Sequence, residues 1–248
     1  NLLDQRVYHV THVRNLAGIV ERGAVLAFEQ TSRSASASAP DVASNVAPDV
    51  ASNVAPDVGS AVAPDVASSV APNMAPTITV DLSSPLAREL RTTARLDASA
   101  APSVSAHVPW YLSADASVWQ ELRRGAAESR WSSAARAAAS TDFVVLVSTV
   151  RALAALDGFA VADGDAAGTF TTFATDTEQA MRMLARLHNT EQLLDAEVLV
   201  LGSVPCAAVQ LIGVANEPQR DRVRQVLDAA TFPRTKVAVY PPWFAAPE

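Results

Sequence analysis

An α+β fold is what this chain predicts. Short apolar strands and short amphipathic helices mingle along it without the regular strand-helix-strand alternation that builds a parallel sheet. Of its 248 residues 49% are hydrophobic and 18% charged, enough for one sizeable core or a core plus a small appendage. One stretch, near residue 40, departs sharply from both patterns and reads as an insertion into a single domain spanning residues 1–248.

VYHVTHV (Val7–Val13) alternates at period two and reads as a strand, with Val7, His9, Thr11 and Val13 on one face and Tyr8, Val10 and His12 on the other. Asn15 is the expected cap of a short helix, since Leu16, Ile19 and Val20 recur at helical spacing and Gly23 stands where a left-handed C-cap is wanted. From about residue 39 to 76 an octapeptide repeats: PDVASNVA at Pro40 and Pro48, PDVGSAVA at Pro56, PDVASSVA at Pro64. Proline at every eighth residue forbids a continuous helix, and no aromatic residue anchors a packed turn. The near-identical copies read as a flexible low-complexity loop.

Ile78–Leu82 reads as a short strand, and Ser83, Ser84 and Pro85 open a helix with Leu86 and Leu90 on its apolar side. Arg88, Arg91 and Arg95 sit three and four residues apart, so they share one helical face with the geometry to meet a diphosphate. HVPWYLS (His107–Ser113) is the next strand, and Val118, Trp119 and Leu122 line a helix that ends near Gly125. DFVVLVSTV (Asp142–Val150) is the most apolar strand, followed by a short helix over Arg151–Leu156. The turn-rich GFAVADGDAAGTFTTF then has the composition of a pocket rim.

Ala180, Met181, Leu184 and Leu187 mark a helix over Thr177–His188 that delivers the chain to LLDAEVLVLGSVP. There Val198–Leu201 is a strand buried on both faces, with Glu197 at its mouth. A carboxylate entering a buried strand is costly without partners, so it is either solvated or held for chemistry. Ala207–Val214, Glu217–Ala229 and Lys236–Tyr240 complete the reading as strand, helix and strand.

Charge narrows the function classes. The net charge of −7 argues against a protein that coats nucleic acid, although seven arginines stand against five acids between Leu82 and Arg136. No apolar run approaches the roughly 18 residues of a membrane span, and the lone Cys206 excludes an internal disulfide, so a reducing cytoplasm is the expected compartment. Cys206 follows an apolar strand and reads as a buried structural thiol. Neither a GxSxG elbow nor an HExxH pair is present, and no metal is expected.

Taken together, YHVTHVRNLAGIVERGAV, the Arg-bearing segment before AHVPWYLS, the ADGDAAGTFTTF loop and DAEVLVLGSVP resemble the DarT family of NAD-dependent DNA ADP-ribosyltransferases. These are toxins usually paired with a macrodomain antitoxin. The resemblance implies an ADP-ribosyltransferase core, a split pair of sheets gripping NAD, and modification of a base in single-stranded DNA. It assigns Glu197 as the catalytic glutamate and Arg91, or else Arg88, as the catalytic arginine. His9 and Thr11, with Tyr8 beside them and Asn15 in support, would hold NAD. The chain departs from the family where PWYLSADASVW replaces PFYF and PRSPM, and where EQLLDAE lacks a basic residue before the glutamate. Two alternatives therefore stand beside the transferase: an NAD glycohydrolase, and a binding protein of the same fold without turnover.

Overall fold

A computed structural model describes residues 1–31, 80–97, 102–126, 130–229 and 235–247. The octapeptide repeat at 39–76 lies outside the described residues. Among the described residues ten strands form in chain order: β1 (Arg6–His12), β2 (Ala24–Leu26), β3 (His107–Tyr111), β4 (Phe143–Thr149), β5 (Phe159–Ala162), β6 (Phe173–Ala174), β7 (Glu197–Leu201), β8 (Ser203–Pro205), β9 (Leu211–Val214) and β10 (Lys236–Val239). The helices are α1 (Val13–Arg22), α2 (Pro85–Thr93), α3 (Ser117–Arg123), α4 (Ser133–Ala137), α5 (Val150–Ala154), α6 (Thr177–Leu187) and α7 (Glu217–Asp228).

Eight strands make one sheet in the order β10-β9-β4-β1-β3-β7-β5-β6, parallel only between β9 and β10, and β2 and β8 form a separate antiparallel pair. The expected split appears as a seam within this sheet. β1 pairs with β4 along its whole length, from Arg6↔Thr149 to His12↔Phe143, but meets β3 only at Tyr8↔Tyr111. No further residue pair joins the two strands, and the Pro109 carbonyl of β3 takes the His9 ring nitrogen of β1 as its partner instead.

Alternation along the strands feeds a core on each face. On one, Val7, Trp110, Leu146 and Val198 pack with Leu16 and Ile19 of α1, Leu184 and Leu187 of α6 and Val223 of α7. On the other, Val10, Val145 and Val147 meet Trp119, Trp131, Phe143 and Phe244. Trp110 and Trp119 are fully buried, so truncating either to alanine would cost about 3–5 kcal/mol. Trp119 Nε1 donates to the Trp243 carbonyl at 2.6 Å, which ties α3 to the C-terminal segment.

Several expectations change in detail. Of the strand expected over Ile78–Leu82, residues 78–79 lie outside the described residues and Val80–Leu82 is not a strand, with Ser83 making an isolated bridge to Trp131. Asn15 does not cap α1: His12 does, its Nδ1 accepting the Arg14 N–H at 3.1 Å, because the helix begins three residues earlier than its apolar period suggested. Gly23 closes α1 at φ 70°, as the sequence implies. Residues 207–208 form a turn, so β9 starts only at Leu211. Leu86 and Leu90 are 65% and 46% exposed, because α2 turns its arginine side, not its leucines, toward the sheet. Leu201, the last residue of β7, is likewise exposed.

Candidate active site

The cleft at the β1/β3 seam opens into a cavity of about 420 Å³, within the roughly 300–1,000 Å³ range of small-molecule sites. β1 contributes His9 and Thr11, β3 and its approach contribute Ser105, His107, Pro109 and Tyr111, and β7 contributes Glu197. α1 supplies Asn15 and Arg22, and α2 lies across the opening with Arg88 and Arg91.

Partners fix most of these polar groups. His9 Nδ1–H donates to the Pro109 carbonyl at 2.8 Å across the seam, and His107 Nδ1–H donates to the Ser103 carbonyl at 2.8 Å. A carbonyl can only accept, so both imidazoles keep Nε2 as the lone-pair nitrogen while neutral. Burial, the largest influence on each ring, holds both below the ordinary imidazole value, against the pull of these carbonyl bonds. Asn15 lies inside α1 and grips Val80 in both directions: Oδ1 accepts the Val80 N–H at 2.7 Å and Nδ2 donates to its carbonyl at 3.0 Å. The same amide reaches Thr11 Oγ1 at 3.3 Å. One side chain thus anchors the chain where it enters the cavity wall.

Glu197 is 2% exposed, although it is the first residue of its strand. Arg91 meets it in a fork, Nη1 to Oε1 at 3.0 Å and Nη2 to Oε2 at 2.9 Å, and the Ala166 N–H adds a third bond to Oε1 at 3.2 Å. Burial works to lower the Arg91 pKa, but the adjacent carboxylate outweighs it and leaves the guanidinium firmer as a cation than usual. Tyr111, directly opposite Glu197 across β3/β7, has its phenol pushed up by burial and then by that carboxylate, so it stays a neutral donor.

Of the residues singled out from sequence, Glu197, Arg91, Arg88, His9, Thr11 and Asn15 all line this cavity. Tyr8 does not; at the seam's one closed pair, its ring stands edge-on to Trp243, with centroids 5.5 Å apart. Nor do the three arginines act as one helical face, since α2 ends at Thr93 and Arg95 lies beyond it. Arg88 pairs with Asp81 and lies over the Phe28 ring at 5.7 Å, and Arg95 donates to the carbonyls of Thr92, Thr93 and Ala94. Only Arg91 reaches the buried carboxylate. Cys206 is buried beside the Ile19 carbonyl, and burial pushes its thiol up to about 11, which leaves it protonated at neutral pH.

Sequence reasoning missed His107 and Tyr111, whose spacing of four along HVPWY puts them on one face of β3, and Ser105 in the 3-10 turn just before it. It also missed Arg130, which joins Glu121 at 2.6 Å to Asp165 at 2.8 Å, because ion pairs between distant loops leave no periodic trace. Among the described residues no group of three or more His, Cys, Asp or Glu side chains could hold a metal ion. Among them, too, no helix is long and apolar enough to cross a membrane.

Residues 77–245 match the family model described as ssDNA thymidine ADP-ribosyltransferase, DarT. The chain belongs to this family. No curated protein sequence matches it. Among solved structures it is similar to Thermus sp. 2.9 DarT in complex with ADP-ribosylated ssDNA, at 18% identity and TM-score 0.65, covering 97% of this chain and 96% of that one. The same enzyme in complex with NAD+ gives 18% identity and TM-score 0.63, covering 97% and 98%. Thermosipho africanus DarTG in complex with ADP-ribose gives 14% identity and TM-score 0.59, covering 97% of this chain and 51% of that one. At these identities the likeness establishes the fold, and the DarT assignment rests on the family model.

Proposed function

We propose that this DarT-family chain transfers ADP-ribose from NAD to thymidine in single-stranded DNA, with Glu197 and Arg91 as its catalytic residues. The observation that carries the reading is the buried, forked Arg91–Glu197 pair at the wall of the cavity that His9, Thr11, Asn15 and His107 also line. The residues fit NAD as substrate: neutral His9 and His107 offer lone pairs to ribose hydroxyls, and Arg22 and Arg88 line the cavity as cations for the diphosphate. Thr11 and Asn15 belong to the same wall.

The chemistry follows from the carboxylate. Cleaving the bond between nicotinamide and ribose builds positive charge on the sugar, and the bonding electrons leave with nicotinamide, a good leaving group that needs no general acid. A carboxylate beside that centre stabilises the charge, as one of the two carboxylates does in glycoside hydrolysis. Thymine has one protonated ring nitrogen, its imide N–H. Glu197 is the carboxylate to take that proton as the new carbon–nitrogen bond forms, while the fork from Arg91 keeps it oriented. A macrodomain antitoxin is the partner such a toxin requires, and the cytoplasm the compartment where NAD and DNA meet.

Incubating the purified protein with NAD, with and without thymidine-containing oligonucleotides, tests the reading. A mass-shifted oligonucleotide is expected, together with free nicotinamide. Nicotinamide release with no adduct would instead make water the acceptor, and no release at all would leave a binding protein.

A further inference from the structure

Beyond the catalytic pair lies a loop that reaches the carboxylate only through its backbone. Between β5 and β6, Asp165 organises a tight turn: its Oδ1 accepts the Ala167 N–H at 2.9 Å, and its carbonyl accepts the Gly168 N–H at 2.7 Å and Thr171 Oγ1 at 2.5 Å. Gly168 is required at this approach, because a Cβ there would stand 2.8 Å from Thr171 Oγ1 and 3.0 Å from the Asp165 carbonyl. Asp165 Oδ2 is held from outside by Arg130 Nη1 at 2.8 Å, and Arg130 is in turn locked onto Glu121 of α3 through Nε, Nη2 and its own backbone N–H. Between Asp165 and Ala167 lies Ala166, 1% exposed, whose N–H is the bond to Glu197 Oε1.

We propose that Asp165, anchored by Arg130, is a positioning residue that aims the Ala166 N–H at Glu197 and so fixes the carboxylate for the transfer. The inference rests on the proposed role of Glu197. Its physical basis is that the Asp165–Arg130 pair is about one-third exposed on each side, where an ion pair adds little stability, whereas its geometry decides where a buried amide points. Glu197 has Arg91 on one side and Ala166 on the other. With the amide gone, the carboxylate can follow the arginine side chain instead of standing fixed against the sheet. Displacing a catalytic group by an ångström costs up to about a hundredfold in rate.

The test pairs amide hydrogen exchange on the free protein with nicotinamide-release kinetics. In Asp165→Ala, exchange at Ala166 is expected to quicken by about tenfold or more as its turn opens. kcat is expected to fall by about tenfold to a hundredfold, while KM for NAD stays within about twofold. Asp165→Asn keeps the acceptor for the Ala167 N–H and is expected to recover most of kcat. Asp163→Ala serves as the comparator: Asp163 ties the far end of the same loop to Thr172 and Arg186, so its loss should free Thr172 without moving kcat. Unchanged exchange at Ala166 in Asp165→Ala, or unchanged kcat, would overturn the proposal. So would an Asp163→Ala protein as slow as Asp165→Ala, which would reduce the role to general loop stiffness. If the wild-type protein releases no nicotinamide, the proposed function fails, and the exchange result alone still decides whether Asp165 holds the Ala166 amide.

Discussion

Arg91 and Glu197, 106 residues apart in the chain, face each other through two parallel hydrogen bonds of 3.0 and 2.9 Å. The carboxylate is 2% exposed and the guanidinium side chain 18%, so each is the other's main defence against burial. The pair explains why a charged residue opens a strand of valines and leucines. It also alters what a substitution at Glu197 tests: an alanine there removes a reacting group and, at the same time, leaves a cation buried without its counter-ion.

Glu197→Gln is therefore the informative variant. It keeps the shape and one acceptor for Arg91 but removes the negative charge, so nicotinamide release should fall on the order of 10²–10⁴-fold with a modest change in melting temperature. Glu197→Ala should match that loss and also destabilise the fold by about 3 kcal/mol. Kinetics and thermal melts on both variants check the expectation, and near-wild-type turnover in Glu197→Gln would remove the residue from the mechanism.

Arg91→Lys isolates the fork. An ammonium is a point charge on a flexible stem and cannot make two parallel bonds to a carboxylate, so the charge remains but the orientation is lost. Turnover should drop by roughly tenfold or more while NAD affinity, measured by calorimetry, changes by about threefold at most. Loss of NAD binding in Arg91→Lys would place the arginine on the diphosphate instead. Arg88→Ala, which frees Asp81 but not Glu197, should spare kcat and raise KM.

How much of this was legible in the sequence follows from the range of each interaction. Periodicity is local, and it located β1, β4, β7, α6 and α7 within a residue or two. The cap of α1 was misplaced because His12, a strand residue by alternation, also closes the helix through its ring nitrogen. Family motifs found Glu197, His9 and Thr11, while helical spacing by itself grouped Arg88, Arg91 and Arg95 on one face. What separated them is tertiary: Asp81 claims one, Glu197 another, and the end of α2 the third. Tyr8 entered the site reading through its place in YHVTH, although alternation sets it on the face opposite His9 and Thr11, where its ring meets Trp243.

Acidity should weaken the fold through its histidines. His9, His12 and His107 all have folded pKa values lowered from 6.5, with burial the largest cause in each. Below that value the unfolded chain takes up protons that the native rings resist, so stability rises with pH in this window and falls as pH drops from about 7 toward 5. Thermal melts across that interval should show the decline, and His107→Gln should flatten it. A melting temperature independent of pH between 7 and 5 would contradict the neutral state assigned to these rings, of which His9 and His107 donate to carbonyls and His12 accepts the Arg14 N–H.

Phe170 is 95% exposed, the most exposed large apolar side chain among the described residues, and it sits four residues beyond the Ala166 amide that contacts Glu197. Nothing in the protein's own packing accounts for a phenyl ring held in water at the tip of a turn so tightly tied by Asp163, Asp165 and Thr171. A base of single-stranded DNA stacking on such a ring gains about 1–3 kcal/mol, without regard to sequence, because every base has a flat face. Phe170→Ala should accordingly weaken oligonucleotide binding by roughly fivefold to a hundredfold, leaving NAD affinity and the melting temperature unchanged. Because the lost contact is stacking rather than charge, the slope of affinity against salt concentration should be the same in both proteins. Fluorescence anisotropy with a labelled thymidine-containing strand at several salt concentrations separates the cases: equal affinities would free Phe170 from any role with the acceptor, and a changed salt slope would mean that the substitution had displaced an arginine contact to phosphate.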